Sequence, residues 1–186
     1  MSPVGIVAEI VELFAQKGGS NYGGEAVSQL EHALQTATQA RAANSSSALV
    51  CAALLHDVGH LIEDETDAAR DPILLDDQHE DKGSRWVSHH FSAAISDPVR
   101  LHVAAKRYLC TVDAEYLDCL SPASLQSLRE QGGKMSAEEI AEFESEPNRD
   151  AAVLVRKWDD NGKTPGRVTP AIHDFVPDLE VVVAAE

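Results

Sequence analysis

The chain has 186 residues, 44% apolar and 25% charged, enough to bury one core without disulfides or a structural metal. Its 15 Lys and Arg against 31 Asp and Glu leave a formal charge of −16. That argues against nucleic acid and membranes as partners, because a phosphate surface needs a basic face, and no protein partner is visible either.

The opening MSPVGIVAEIVELF has no basic leader and reads as an amphipathic helix over about 4–16, with Val7, Ile10, Val11 and Phe14 on one face. Gly18 and Gly19 stop it, and GGSNYGGEA reads as a turn. An Ala-rich helix over about 25–43 follows. Ser45 to Ser47 cap the next helix, over about 49–62, which is apolar nearly all round and so should be central. Cys51 lies inside its run ALVCAALL, and the three cysteines lack metal-binding spacing, so a reduced, cytoplasmic protein with a buried thiol is expected. The stretch 63–83 is too polar and broken for a regular element and reads as a long loop without calcium-loop spacing, its acidic run Glu63 to Asp67 solvated. Further helices are expected over about 82–94, 97–109, 114–119, 122–130, 137–144 and 149–159, with Gly132-Gly133 and Asn161-Gly162 as stops. After Lys163 prolines punctuate a tail in which LEVVVAA reads as a strand or a last helix. The class is all-α, a single domain over 1–186 with its core at about 21–163 and a tail at 164–186.

The histidines carry the chemistry. A His-Asp pair occurs twice; His173-Asp174 sits in the tail, but His56-Asp57 ends the most apolar segment of the chain. A carboxylate there is costly unless it is paired or bound to metal. His60 follows one turn later on the same face, beside Gly59, which permits close approach. A structural hydrogen-bonded pair is the competing reading. His32, His79 and His102 add imidazoles from three other segments, and Asp159 adds a second carboxylate. Asp57 has two oxygens and can bridge ions about 3.5–4 Å apart. Imidazole with carboxylate suits iron, manganese or zinc better than calcium.

Spacing adds several expectations. Lys106 lies four residues after His102, which puts a cation one turn from a candidate ligand. Arg156 and Asp159 share a face at i, i+3, whereas Asp160 pairs with Lys157 on the solvent side. His79 shares a face with Trp86, and His32 lies opposite the Leu30/Leu34 stripe, where periodicity makes it a surface residue. His89-His90 reads as a partly exposed pair, and Ser121 and Ser124 as helix-start residues.

The order His32, His56-Asp57, His79, His102, Asp159 resembles the HD-domain superfamily of two-metal proteins. YGGEAVSQLEHAL, LLHDVGHL, HVAAKRYL, EQGGKM and RKWDDNGK are similar, more narrowly, to the HD-type mixed-valent diiron oxygenases that cleave C–P bonds of 1-hydroxyphosphonates. The resemblance spans Asn21 to Lys163 and implies an HD helical bundle holding two irons as an Fe2+/Fe3+ pair. It implies one iron on His32, His56, Asp57 and Asp159, and a second on His79 and His102 with Asp57 bridging. It further implies that Tyr22 covers or ligates an open iron position, and that His60, Lys106, Ser124, Gln131 and Arg156 hold phosphonate and hydroxyl oxygens. Glu25 then faces an ammonium group. Gly23 leaves room beside it, which favours a trimethylammonio head group and glycine betaine as product over the primary amine and glycine. A two-metal phosphohydrolase and a regulatory HD module without catalysis are the competing functions.

Overall fold

The computed structural model describes residues 3–62 and 78–184, and the regular elements among them are all helical. Helix α3 (Ser47–Leu55) is the centre, with Ser46 as its N-cap and every residue from Val50 to Leu55 buried. Its apolar surface runs all round, so it needs partners on every side. They are α2 (Gln29–Ala42), α5 (Ala93–Val112), α9 (Arg149–Asp160) and α10 (Val176–Ala184). Ile6, Ile10 and Phe14 of α1 (Pro3–Lys17) join the same core, so it reaches beyond residues 21–163 at both ends.

Helix starts follow the capping chemistry. α2 begins at Gln29 and not at 25, because Ser28 accepts from the Glu31 N–H while the Glu31 carboxylate accepts from the Ser28 N–H at 2.7 Å. The residues lost from the helix form a tight turn. Gly23 and Gly24 take φ of +38° and +83°, and the Glu25 N–H donates to the Tyr22 carbonyl at 2.7 Å. Glu25 is therefore a turn residue, and glycine suits position 23 for its left-handed backbone, while a Cβ there would meet nothing within 4 Å.

α3 stops at Leu55, short of the expected 62, with His56 at its C-cap and a 3-10 turn over Val58–His60. α4 (His79–Ser88) starts and ends earlier than 82–94, and Ser92 then opens α5. The expected loop keeps only residue 78 ahead of α4; its acidic run lies in 63–77, outside the described residues. α6 (Ala114–Asp118), α7 (Pro122–Glu130) and α8 (Ala137–Ser145) follow. α7 meets its expected bounds at both ends, as Ser121 caps it and Pro122 occupies a first-turn position that needs no N–H.

The tail after Lys163 ends in α10, a helix and not a strand. Phe175 just before it and Leu179 within it are fully buried, and Arg41 of α2 pairs with Asp178 while lying 4.0 Å over the Phe175 ring. Leu101, Ala105, Met135, Phe143 and Ala152 form a second core that fixes α8 against α5 and α9. A third, of Cys110, Leu120 and Leu128, seats α7. The cleft between this lobe and the main core opens onto the C-terminal halves of α5 and α9. No helix of the described residues is long and apolar enough to cross a membrane.

Candidate active site

Four buried imidazoles converge on Asp57. Nε2 of His32 and of His56 lie 3.0 Å apart, at 3.4 and 3.2 Å from Asp57 Oδ2. Nε2 of His79 and of His102 lie 3.2 Å apart, at 3.3 and 3.2 Å from Oδ1 of the same carboxylate. Asp159 closes the first group, with Oδ1 3.4 Å from His32 Nε2. One oxygen of Asp57 thus faces each pair.

The other ring nitrogens decide what these atoms offer. His32, His56 and His102 each place Nδ1 on a backbone carbonyl, of Gly162 at 3.1 Å, Ala53 at 2.9 Å and Val99 at 2.7 Å. A carbonyl only accepts, so each Nδ1 carries the proton, and a ring that is neutral turns its Nε2 lone pair inward. Lone pairs 3 Å apart repel unless a cation lies between them. Asp57 Oδ2 also has no hydrogen bond of proper geometry among the described residues. The donor set therefore fits metal ions. His32, His56 and Asp57 could hold one ion, and an ion could also sit among Asp57, His60 and His79, whose ligand atoms lie within 4.8 Å of one another.

The electrostatics divide the rings: burial would lower His56, but Asp57 and then Asp159 raise it above its ordinary value. Burial pushes His102 down to about 4 and lowers His32, so both rings are neutral near pH 7. Burial alone would raise the Asp57 carboxyl, but His56, His102 and His32 hold it well below the usual carboxylate range. Asp159 is likewise held down against burial, by Arg156 and then Lys163.

Local folding supplies the approach of the two pairs. Ending α3 at Leu55 lets His56 and Asp57 turn out of the helix into the site. A Cβ on Gly59 would lie 1.9 Å from the His79 carbonyl oxygen, so glycine is required for α4 to seat against the 3-10 turn. Gly59→Ala should displace His79, cost about 3 kcal/mol or more through overpacking, and weaken metal binding. Thermal unfolding and metal titration of that variant check both effects; an unchanged protein would contradict the packing.

A cavity of about 290 Å³ opens beside the imidazoles. Of the residues expected at the substrate, Tyr22, Gly23, Glu25, His60, Lys106, Ser124, Gln131 and Arg156 all line it, with Asp57, His79, His102 and Asp159. His32 and His56 lie behind it. The Tyr22 ring stacks on His32 at 3.9 Å, and its hydroxyl lies 3.5 Å from Asp159 Oδ1. Burial, then Asp159 and Asp57, raise its phenol well above the ordinary value, so it is neutral. His60 stacks on His79 at 4.0 Å. Gln131, at the C-cap of α7, has a buried Oε1 without a hydrogen-bond partner among the described residues.

Two expectations are corrected. His32 is fully buried, because α2 is covered by α3 on one side and α9 on the other, so a one-face periodicity misplaces it. Asp160 does not face solvent with Lys157. Its carboxylate accepts from Arg156 Nε at 3.1 Å and from the Tyr116 hydroxyl, while Arg156 Nη1 contacts Asp159 Oδ2 at 2.7 Å. Lys163 was missed as a site residue: Nζ lies 3.0 Å from Ser124 Oγ and 3.3 Å from Asp159 Oδ1. The i, i+4 step that picked out Lys106 also leads from Asp159 to Lys163.

Lys106 Nζ donates to Ser127 Oγ at 2.8 Å, and burial, then repulsion from Arg156, bring its pKa down to about 8. The Lys106 ammonium, which would meet an anionic ligand, is then present below that pH and lost above it. Accordingly, kcat/KM should fall as pH rises through about 8, and Lys106→Arg should move the fall upward. A profile of Lys106→Arg that still falls at the same pH would assign the titration to another group.

Comparison with known proteins adds the family. The HD domain matches residues 30–140, which carry His32, His56-Asp57, His79 and His102. The chain belongs to the HD-domain family. Two HD relatives are similar along nearly its whole length. Hydroxymethylphosphonate dioxygenase of Gimesia maris is 43% identical over 174 residues, 94% of this chain and 86% of that protein. The [1-hydroxy-2-(trimethylamino)ethyl]phosphonate dioxygenase (glycine-betaine-forming) of Leisingera caerulea is 41% identical over 178 residues, 96% and 90% of the two chains. With these relatives and its histidine–aspartate cluster, the HD domain here is an enzyme of the oxygenase class with a metal centre.

Proposed function

We propose that this HD-domain oxygenase uses dioxygen to cleave the C–P bond of a 1-hydroxyphosphonate, with the trimethylammonio compound as substrate and glycine betaine and phosphate as products. The observation that carries the reading is the division of Asp57, one oxygen toward each histidine pair, beside a cavity lined with cations. Two irons, a mixed-valent Fe2+/Fe3+ pair, would be held by His32, His56, Asp57 and Asp159 and by His79, His102 and Asp57. Bound there, they supply activation of dioxygen and the redox chemistry at C1.

The side chains do the rest. Lys106, Arg156 and Lys163 neutralise the phosphonate, and Ser124 and Gln131 fix its orientation through hydrogen bonds. His60 holds the hydroxyl on C1. Tyr22 covers the first metal position until substrate displaces it. Glu25 supports a cationic head group, since a carboxylate at the cavity wall offers a quaternary ammonium a charge to face. The Gimesia maris relative favours a second reading, hydroxymethylphosphonate, a substrate with nothing for Glu25 to meet. A cytoplasmic setting accords with three free cysteines.

Iron-loaded protein should release phosphate from the trimethylammonio substrate only when dioxygen is present. Hydroxymethylphosphonate run in parallel separates the two head-group readings. Release of phosphate from a phosphate ester, without oxygen and with manganese in place of iron, would make the protein a hydrolase.

A further inference from the structure

Glu25 comes to the cavity from a turn of two glycines in left-handed backbone, with no helix behind it to aim its side chain. What holds the carboxylate is across the cleft: Ser121 Oγ donates to Glu25 Oε1 at 2.6 Å. The same oxygen accepts from the Ser124 N–H at 3.1 Å as the N-cap of α7. Only a hydroxyl both donates and accepts in this way. Ser124 in turn receives Lys163 at 3.0 Å. One helical turn therefore registers the carboxylate against the groups that meet the anion.

Resting on the proposed reaction, we infer that Ser121 is a positioning residue that adapts the site to a quaternary ammonium head group by aiming Glu25. A primary ammonium has N–H groups and orients a carboxylate itself. A trimethylammonium has none, so its partner must be held by a donor of the protein. Loss of the Ser121 hydroxyl should then harm the quaternary ligand selectively.

The test is calorimetric binding to the iron-loaded protein under anaerobic conditions, with the trimethylammonio, primary-amine and hydroxymethyl phosphonates. Ser121→Ala should raise Kd for the trimethylammonio ligand about fivefold and for the other two less than about twofold, the size of one net hydrogen bond. Ser121→Thr should restore wild-type binding. In a Glu25→Ala background the Ser121→Ala change should have no further effect, because the serine acts through the carboxylate. Equal weakening of all three ligands marks a helix cap alone and overturns the inference, as does an undiminished effect without Glu25 or no effect at all. Wild-type protein that shows the selective pattern yet releases no phosphate under oxygen would overturn the reaction and leave the role of Ser121 standing. Wild-type protein that binds none of the three overturns both.

Discussion

Alanine at Asp57 is expected to empty both proposed metal positions at once. Its Oδ2 stands 3.2–3.4 Å from the first imidazole pair and its Oδ1 3.2–3.3 Å from the second, so it faces both. Without the carboxylate each pair keeps imidazoles but loses its shared anion, and affinity should fall by more than the roughly 10–100-fold typical of changes around a ligand shell. Asp159→Ala removes a carboxylate from one group only and should leave the second ion in place. Elemental analysis after gel filtration separates the outcomes: near zero metal per chain for Asp57→Ala, near one for Asp159→Ala, with turnover lost in both. Wild-type metal content and activity in Asp57→Ala would end the two-metal assignment. Wild type should gain stability when metal is added and the variant should not, which thermal unfolding with and without metal checks.

Arg156→Ala should be the most destabilising change in the site. The guanidinium is 4% exposed and sits between Asp159 and Asp160, with Nε also 3.0 Å from the Tyr116 hydroxyl. Burial opposes its charge, but the two carboxylates keep it firmly protonated. Alanine leaves the buried Asp159 carboxylate and the half-buried Asp160 without it, a loss of about 3–5 kcal/mol for removing one partner of a buried pair. For a chain of this length that is a fall in Tm of about 10 °C, measurable by scanning calorimetry. Arg156→Lys should recover part of it, as an ammonium meets one carboxylate but lacks the planar fork that spans two. A fall smaller than about 2 °C for Arg156→Ala would show that the network contributes little. The same variant tests substrate binding through KM for the phosphonate.

Much of the fold was legible where local chemistry marks an end. Ser121 followed by Pro122 announces α7, and Ser46 announces α3. At α2 the Ala-rich pattern outweighs the signal of Gly23, Gly24 and Ser28, and the expected helix starts four residues too early. Residues such as His32 are harder, because an amphipathic period assumes one buried face and α2 has two. Asp160 had two basic neighbours at helical spacing, Lys157 and Arg156, and only tertiary packing chooses the buried one. The ligand set came from the likeness to a family, since no spacing rule joins α2, α3, α4, α5 and α9. Caps are local and read well; convergence of distant helices is not.

Two of the three Lys and Arg side chains in the cavity wall are paired with carboxylates, while Lys106 meets only the Ser127 hydroxyl, and this bears on the order of assembly. Arg156 faces Asp159 and Asp160, and Lys163 faces Asp159, while Asp57 and Glu25 add further negative charge. On its own side chains the cleft is thus a poor host for a dianion and a good one for a cation, inside a chain that is itself strongly negative. On the proposed reaction, metal should therefore enter first and reverse the sign of the cleft before a phosphonate is attracted to it. The polypeptide by itself is a metal trap, and becomes an anion receptor only once loaded.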